Sequence, residues 1–498
     1  MREGSPRSCA AALLACVLFA TPCLAQTGVG GLGHLEDASV VPRGMFRLRV
    51  ITSWSRFSER FTNNGVEPLG AFLTSDSLGV NKVPELAPIQ SAVQSASGSP
   101  FTLTLGRSRL GATAREEVVP IGFDLGVSNR LTLSVVAPVV RRRVASVFRL
   151  DTTGVGANVG PNPQRLGGNE TLTNIRVQTE FFNAASQLQS RLQACQANPS
   201  GPGCSSIAGR QAEAQQLIQS SQAFAADLAT LYGSSTSGGM AFVPMTGSAA
   251  QDSIAARVAR YNTQYRDLLG TSTNLLQSMP VGAAGPAGPA DFEDFFIGEQ
   301  GHDSLNVQER VGIGDVEVGF KLGVIDRPRS AQQRTGILLA VASTVRLPTG
   351  SRQRRSEIFD LRLGEGAVIV DSRAAFDLHA GRLGLLAVGD FATKVRDNDT
   401  TGTSTRDSRW TELQIAPRWH LSEPLSFHAA YSLRSADKSG GDQLAGGGVT
   451  FSTLTTYRRG RVPPVEMRFT HLEAVHGDPG RPKFFRDQIE VRLYFRLY

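Results

Sequence analysis

The sequence predicts an all-β protein, an antiparallel transmembrane β-barrel of about twelve strands with an α-helical insertion in one long loop. Three observations favour this fold. Apolar and polar residues alternate in many segments, short and long connections between these segments alternate, and the chain closes with a strand that ends in an aromatic residue. A strand between lipid and a polar interior shows a period of two, because successive side chains point to opposite faces.

The N-terminus has the pattern of an export signal. A basic start precedes the apolar run 9–21, which is too short to cross a bilayer as a helix. Cys23 and Ala25 supply the small residues that a cleavage site requires. We therefore interpret residues 1–25 as a signal peptide, and a lipid anchor on Cys23 is the alternative.

The composition is compatible with a barrel and argues against nucleic-acid binding. The chain has 498 residues and a mean hydropathy of −0.12, which is ordinary for a soluble protein and for a barrel with alternating faces. The formal net charge of +7 comes from scattered residues, and its tightest cluster is 141–143. We therefore expect no nucleic-acid partner for this exported chain.

The alternation is clearest in two segments. Residues 119–127 put apolar side chains on one face and Pro, Gly and Asp on the other, and residues 314–325 repeat the pattern with Glu317 and Lys321 at polar positions. A water-filled lumen tolerates both charges, whereas the outer face of a soluble sandwich rarely carries them beside so many glycines. The predicted strands are 45–57, 116–127, 131–145, 312–325, 336–347, 367–379, 383–394, 409–421, 425–435, 446–458, 464–473 and 485–498.

The connections between these strands support a barrel in an outer membrane. Short connections lie at 128–130, 326–335, 380–382, 422–424 and 459–463. The connections that are mostly longer lie at 58–115, 146–311, 348–366, 395–408, 436–445 and 474–484. The two kinds alternate strictly, as in outer-membrane barrels, which have tight periplasmic turns and long outer loops.

The C-terminal strand indicates how the chain reaches that membrane. Its apolar face and the final Tyr498 resemble the signal that the barrel-assembly machinery reads, although Tyr498 is one residue out of phase. We therefore expect a monomer in the bacterial outer membrane, with membrane lipid and the barrel-assembly machinery as partners.

Residues 146–311 do not have the barrel pattern. Three helical stretches, 172–197, 205–232 and 249–278, are separated by Gly- and Pro-containing breaks. Loop parity places this insertion outside the cell, and folding back over the lumen is the alternative. Cys195 and Cys204 flank the first break, where a disulfide would join the two helices, with two free thiols as the alternative.

No catalytic constellation is found, so we expect a non-enzyme without cofactor or metal. The histidines form no HExxH pair, and no GxSxG elbow occurs. The glycine run 28–33 has the spacing of a dinucleotide loop, but no strand precedes it. We interpret it as part of a flexible N-terminal segment.

The charged residues on the polar strand faces are the candidate functional residues. Both signs occur, with arginine in excess, and a mildly cationic lumen favours anionic or polarisable solutes. Ion pairs that brace the barrel are the alternative interpretation. The candidate lumen and selectivity residues are Asp124, Glu317, Lys321, Arg346, Asp371, Arg373, Glu412, Arg418, Arg468 and Arg492.

Two stretches resemble a known family. Residues 312–350, a GxGD strand, a turn and a strand ending in LPTG, resemble the outer-membrane transporters named for the MetA pathway of phenol degradation. Residues 116–140 are similar to that family's first hairpin. The resemblance implies a barrel that passes small hydrophobic or aromatic compounds, but it does not cover the helical insertion. The residues expected to shape strand ends are Gly314, Asp315, Leu347, Pro348 and Thr349.

We therefore expect an outer-membrane channel or transporter for small solutes, with aromatic or hydrophobic compounds as candidates. The alternative is a surface-display or adhesin-like protein whose barrel anchors a helical binding domain. A barrel hydrolase is a third class, for which the sequence offers no convincing nucleophile. The expected organisation is a signal peptide (1–25), the first strands with an outer loop (26–145), the helical insertion (146–311) and the remaining strands (312–498).

Overall fold

The computed structural model describes residues 36–151, 153, 156–167, 169–327, 335–351, 359, 361–397, 408–437, 440–454 and 464–496. The proposed signal peptide, the glycine run 28–33 and Tyr498 lie outside the described residues.

Twelve antiparallel strands form the wall of a closed barrel, as the sequence predicts. Each wall strand pairs with the next along the chain, and the first pairs with the last, so that Met45 lies opposite Arg496. The wall strands are β1 Met45–Thr62, β2 Ser108–Gly126, β3 Leu131–Leu150, β4 Val316–Arg327, β5 Thr335–Leu347, β6 Ala367–Ala380, β7 Leu383–Asp397, β8 Arg409–His420, β9 Leu425–Ala436, β10 Asp442–Ser452, β11 Val465–Gly477 and β12 Pro482–Arg496.

Strand ends differ from the predicted ones most at β2 and β10. The strand β2 begins at Ser108, eight residues before the predicted start at 116. The strand β10 spans Asp442–Ser452, whereas the prediction was 446–458. Its Gly446–Gly448 run lies inside the ladder, where a Cβ atom on Gly446 would be 1.9 Å from the carbonyl oxygen of His471. The glycines are needed there for close backbone packing, so they do not mark the start of the strand.

One position in the wall is filled by two consecutive strands. The short strand Gln308–Ile313 pairs with the far half of β3, and β4 pairs with the near half. Gly314 and Asp315 separate the two pieces. A second short strand, Gly65–Pro68, extends the end of β1.

The outer face of the barrel is apolar. On β2 the outward side chains are Val119, Ile121, Phe123 and Leu125, and Val127 directly after the strand continues this face, as predicted; Phe123 is 47% exposed. The eight steps from residue 119 to residue 127 cover about 26 Å along the strand at about 3.3 Å per residue. A tilt of about 40° reduces this length to about 20 Å across the membrane, near the apolar band of about 25 Å in outer-membrane barrels. A closed barrel with this face lies in an outer membrane. Among the described residues, no helix is long and apolar enough to cross a membrane.

The second compact unit consists of Gly70–Gly111 and Ser146–Asn306. Its helices pack around one apolar core that includes Val93, Phe181, Phe224 and Ile254. The expected insertion began at 146, and the structure adds residues 70–111 with a helix that the sequence analysis assigned to a loop. The α-helices are α1 Ala87–Ser97, α2 Pro163–Leu166, α3 Asn169–Ala197, α4 Gln211–Tyr232, α5 Ala249–Leu269 and α6 Pro289–Glu293.

A disulfide joins the last turn of α3 to the connection that leads to α4. Cys195 lies in the last turn of α3, and Cys204 lies in the connection to α4. The two cysteines are bonded to each other in the structure, with a sequence separation of nine. A covalent link at this position closes a short loop and restricts the conformations of the unfolded chain around it.

Candidate functional site

The inward face of the barrel collects charged side chains on neighbouring strands. On β1 the buried Arg47 and Arg49 alternate with outward apolar residues. Both reach Asp124 on β2, with nitrogen–oxygen distances of 2.7 Å and 3.5 Å. Burying these charges is tolerable only because they are paired.

The ten predicted lumen residues all belong to wall strands, and most of them alternate with outward apolar neighbours. Eight of them are buried, whereas Glu412 and Arg418 are half-buried. The structure brings most of them into ion pairs within the barrel, and it does not unite all ten in one cluster.

A segment that is not a strand lies among these charges. Residues 36–42 pair with no wall strand, although Glu36 and Asp37 are buried. The Glu36 carboxylate lies 3.0 Å from Lys321 Nζ on β4 and 2.9 Å from an Arg373 guanidinium nitrogen on β6. Lys321 also donates a hydrogen bond to the main-chain oxygen of Asp37.

Asp37 reaches a second group of charges on the last two strands. Its carboxylate pairs with Arg492 on β12 and lies 3.9 Å from Arg468 on β11. Arg492 also contacts Glu490 at 2.7 Å and Glu466 at 3.1 Å. The segment that contains Glu36 and Asp37, residues 36–44, is therefore tied to opposite parts of the wall; we call it the lumen segment.

The ionisation of the lumen segment follows from its neighbours. Burial alone would raise the pKa of Glu36, but its cationic neighbours, led by Lys321, hold this pKa well below its ordinary value of 4.5. Burial would also raise the pKa of Asp37, but Arg492 and other cations lower this pKa. Both carboxylates are therefore charged at neutral pH.

Close backbone approach adds to these ion pairs at the end of the lumen segment. The main-chain nitrogen of Val41 donates a 2.8 Å hydrogen bond to the Thr132 hydroxyl on β3. A Cβ atom on Gly126 would lie 2.0 Å from the carbonyl oxygen of Pro42. Only glycine fits at position 126 without moving the segment.

Further ion pairs connect neighbouring wall strands. Arg346 on β5 contacts Glu317 on β4 at 2.8 Å. Arg373 lies 3.4 Å from Asp371 on its own strand and 3.3 Å from Asp390 on β7. These contacts support the interpretation of bracing ion pairs as well as that of a charged lumen, because the same groups could serve both roles.

Another part of the interior is apolar. A buried cluster there combines small and branched side chains of the wall strands with Ala38 of the lumen segment. Its larger members include Phe61, Leu386, Leu444, Leu472 and Phe484. The interior therefore has a charged part and an apolar part.

The interrupted wall strand has its own polar anchor. The Asp315 carboxylate accepts hydrogen bonds from the main-chain nitrogens of Gly350 at 2.9 Å and Glu365 at 2.6 Å. The Thr349 hydroxyl donates to the Gly314 carbonyl at 2.8 Å. A small pocket, lined among others by Arg142, Arg346 and Arg362, lies beside this interruption. Gly314, Asp315 and Thr349 thus hold strand ends, as predicted.

Sequence reasoning missed the lumen segment and the two arginines of β1. Residues 36–44 precede the first predicted strand, and the sequence analysis assigned them no structure. The period-two pattern of β1 could have identified Arg47 and Arg49, since they alternate with Phe46, Leu48 and Val50. No comparable pattern marks Glu36 and Asp37.

No group of three His, Cys, Asp or Glu side chains in the described part of the chain is arranged to hold a metal ion. The paired charges of the interior bind one another.

Comparison with known proteins gives structural neighbours only. No family profile matches the chain, and no curated protein matches it. Among solved structures, an outer membrane channel from Pseudomonas putida F1 is similar, with 12% identity, a TM-score of 0.40, and coverage of 93% of this chain and 100% of that chain.

Two toluene transporters are also similar. TbuX of Ralstonia pickettii has 9% identity and a TM-score of 0.28, with coverage of 92% of this chain and 90% of its own. TodX of Pseudomonas putida has 10% identity and a TM-score of 0.26, with coverage of 96% and 100%. All of these TM-scores are below 0.5, so the fold assignment stands on the strand pairing described above.

Proposed function

We propose that the chain is an outer-membrane channel for small solutes, and that the lumen segment obstructs its interior. The observation that carries this proposal is the presence of a non-strand segment inside a closed barrel. It is held there by ion pairs to Lys321, Arg373 and Arg492 rather than by a strand ladder. A segment that is held in this way can leave the interior without breaking the strand pairing of the wall.

The solute class that we propose is small hydrophobic or aromatic compounds. The apolar interior cluster around Leu386, Leu444 and Phe484 offers contact area to such solutes. The resemblance of residues 312–350 to transporters of the MetA pathway of phenol degradation implies the same class. The charged inward residues would then favour solutes with an anionic or polarisable end.

Ion conductance in planar bilayers tests the obstruction. We expect the refolded protein to conduct in small steps, and the variant E36Q/D37N to conduct severalfold more, because the lumen segment loses its anions. The control E67Q/D76N removes one half-buried and one exposed carboxylate that do not contact the lumen segment, and it should match the wild type. Equal conductance in all three proteins would contradict an obstruction by this segment.

Phenol in the bath tests the solute class on the same channels. We expect phenol to reduce the conductance of E36Q/D37N in a concentration-dependent way, since a solute in the apolar part of the interior displaces ions. Cyclohexanol serves as a non-aromatic comparison. If neither compound changes the conductance, hydrophobic solutes do not enter this interior.

A further inference from the structure

Outside the barrel, a group of arginines lies just beyond the apolar band. The apolar outward residues of β2 end at Val119. The next two outward residues, going away from the short turn 128–130, are Glu117 and Arg115. The hydrogen bond from the Val127 nitrogen to the Leu131 oxygen sets the register of the β2–β3 hairpin. This register places Glu117 opposite Arg141, at 3.6 Å, and Arg115 opposite Arg143.

Three of these arginines form a row across three strands. Arg56 on β1 lies directly opposite Arg115 on β2, and Arg143 on β3 follows. All three are exposed on the outer face, and the Arg143 side chain is 45% exposed. Like charges that lie directly opposite each other destabilise a sheet. An anion bound at such a row would reduce the repulsion and stabilise it.

The neighbouring carboxylates do not neutralise the row. Glu309 lies 2.8 Å from Arg141 and 3.9 Å from Arg143, so its closer ion pair is with Arg141. Arg141 also forms an ion pair with Glu117. Within the described ranges, Arg56 and Arg115 have no ion-pair partner.

The depth of the row in the membrane identifies its surroundings. It lies on the side of the apolar band that is far from the short turn 128–130, and therefore on the side of the long outer connections. Four residues separate Val119 from Arg115, about 13 Å along a tilted strand. That distance places the guanidinium groups at the level of the headgroups. Trp54 lies between the band and the row, opposite Glu117, as expected for an interfacial aromatic residue.

We propose that Arg56, Arg115 and Arg143 form a binding site for a phosphate group on a lipid of the outer leaflet. Guanidinium groups recognise phosphate through paired, charge-assisted hydrogen bonds. The same chemistry would also suit free phosphate, but the depth of the row favours a phosphate that the membrane holds there. The proposed ligand is a phosphorylated glycolipid of the lipid A type, and the site is separate from the solute path inside the barrel.

Native mass spectrometry of the refolded full chain in detergent tests the site. The probes are diphosphoryl lipid A, the same lipid after enzymatic removal of its phosphates, and inorganic phosphate. We expect one diphosphoryl lipid A to stay bound to the wild type, and R56Q/R115Q/R143Q to bind it at least about tenfold more weakly. The control R43Q/R130Q/R382Q removes three exposed arginines at the other rim and should bind as the wild type does.

Three outcomes would overturn the proposal. The first is equal binding by the two triple variants. The second is undiminished binding of dephosphorylated lipid A to the wild type. The third is inorganic phosphate that competes as strongly as lipid A, which would assign the row to a free anion. If R56Q/R115Q/R143Q does not refold, judged by heat-dependent migration in SDS gels, R115Q and the dephosphorylated lipid decide the question.

Discussion

Individual charged residues in this protein have different energetic roles, depending on whether they face the interior or the solvent. Asp124 is buried and accepts from Arg47 while it also lies near Arg49. Glu67 and Arg60 form a close ion pair as well, but both side chains are about one-third exposed. Water and mobile ions screen the second pair, and they do not reach the first.

This contrast predicts unequal effects of removing one charge. We expect D124N to lower the free energy of unfolding by about 3–5 kcal/mol, because two buried guanidinium groups lose their partner. E67Q should lower the free energy of unfolding by less than about 1 kcal/mol. Urea unfolding of the refolded proteins in lipid vesicles, followed by tryptophan fluorescence, measures both. Similar losses in the two variants would contradict a buried charge network at Asp124.

Glu36 gives a pH prediction at the same scale. Its folded-state pKa lies below the ordinary value of 4.5, so ionisation stabilises the bound lumen segment above that pH, and the stabilisation is lost as the pH falls through the folded-state pKa. Conductance should therefore stay constant from about pH 8 to about pH 5 and rise only below about pH 4. A rise between pH 7 and pH 5 would show that another group holds the segment.

Single elements combine local sequence signals with contacts that are distant in the chain. The helix α3 has the apolar spacing of Phe181, Leu188 and Leu192, and these residues are buried in the core of the helical unit. The helix α1 has only 11 residues and begins near a proline. Its Val93 joins the same core, although the next helix in the chain begins only at Pro163.

The disulfide gives a prediction for the α3–α4 pair. We expect C195S/C204S to lower the stability of the helical unit by about 2–3 kcal/mol, because a short closed loop restricts the unfolded chain. Thermal loss of the circular dichroism signal at 222 nm measures this change. The barrel should still migrate faster in SDS gels before boiling than after it. An unchanged helical melting curve would show that the bond does not stabilise these helices.

At the scale of the whole molecule, the chain is built from a continuous strand ladder and an inserted helical unit. The ladder runs through all twelve wall strands and closes on β1. The helical unit takes its core from two separate stretches, Gly70–Gly111 and Ser146–Asn306. Any deletion that leaves one of these stretches behind would expose its apolar core residues to water.

A matched double replacement separates the two units. We expect a chain in which short Gly-Ser linkers replace residues 70–107 and 151–306, so that β2 and β3 stay whole, to keep heat-dependent SDS migration and channel conductance. The ion pairs that hold the lumen segment lie in the barrel and are unchanged in such a chain. Replacing residues 172–280 alone should reduce the yield of folded protein, because α1 then loses its packing partners. If the double replacement refolds but does not conduct, the helical unit is required for transport.

The sequence by itself determined the barrel, the positions of its strands and the helices of the long insertion. These features depend on patterns that repeat within one segment: a period of two for strands such as β2, and apolar spacing for helices such as α3. It also identified Asp124, Lys321 and Arg492 as inward residues, because the face of a strand residue follows from its neighbours. Only the tertiary structure decided that Glu36 and Asp37 lie among these charges and that α1 joins the helical unit, since both depend on contacts between residues far apart in the chain, which leave no local pattern.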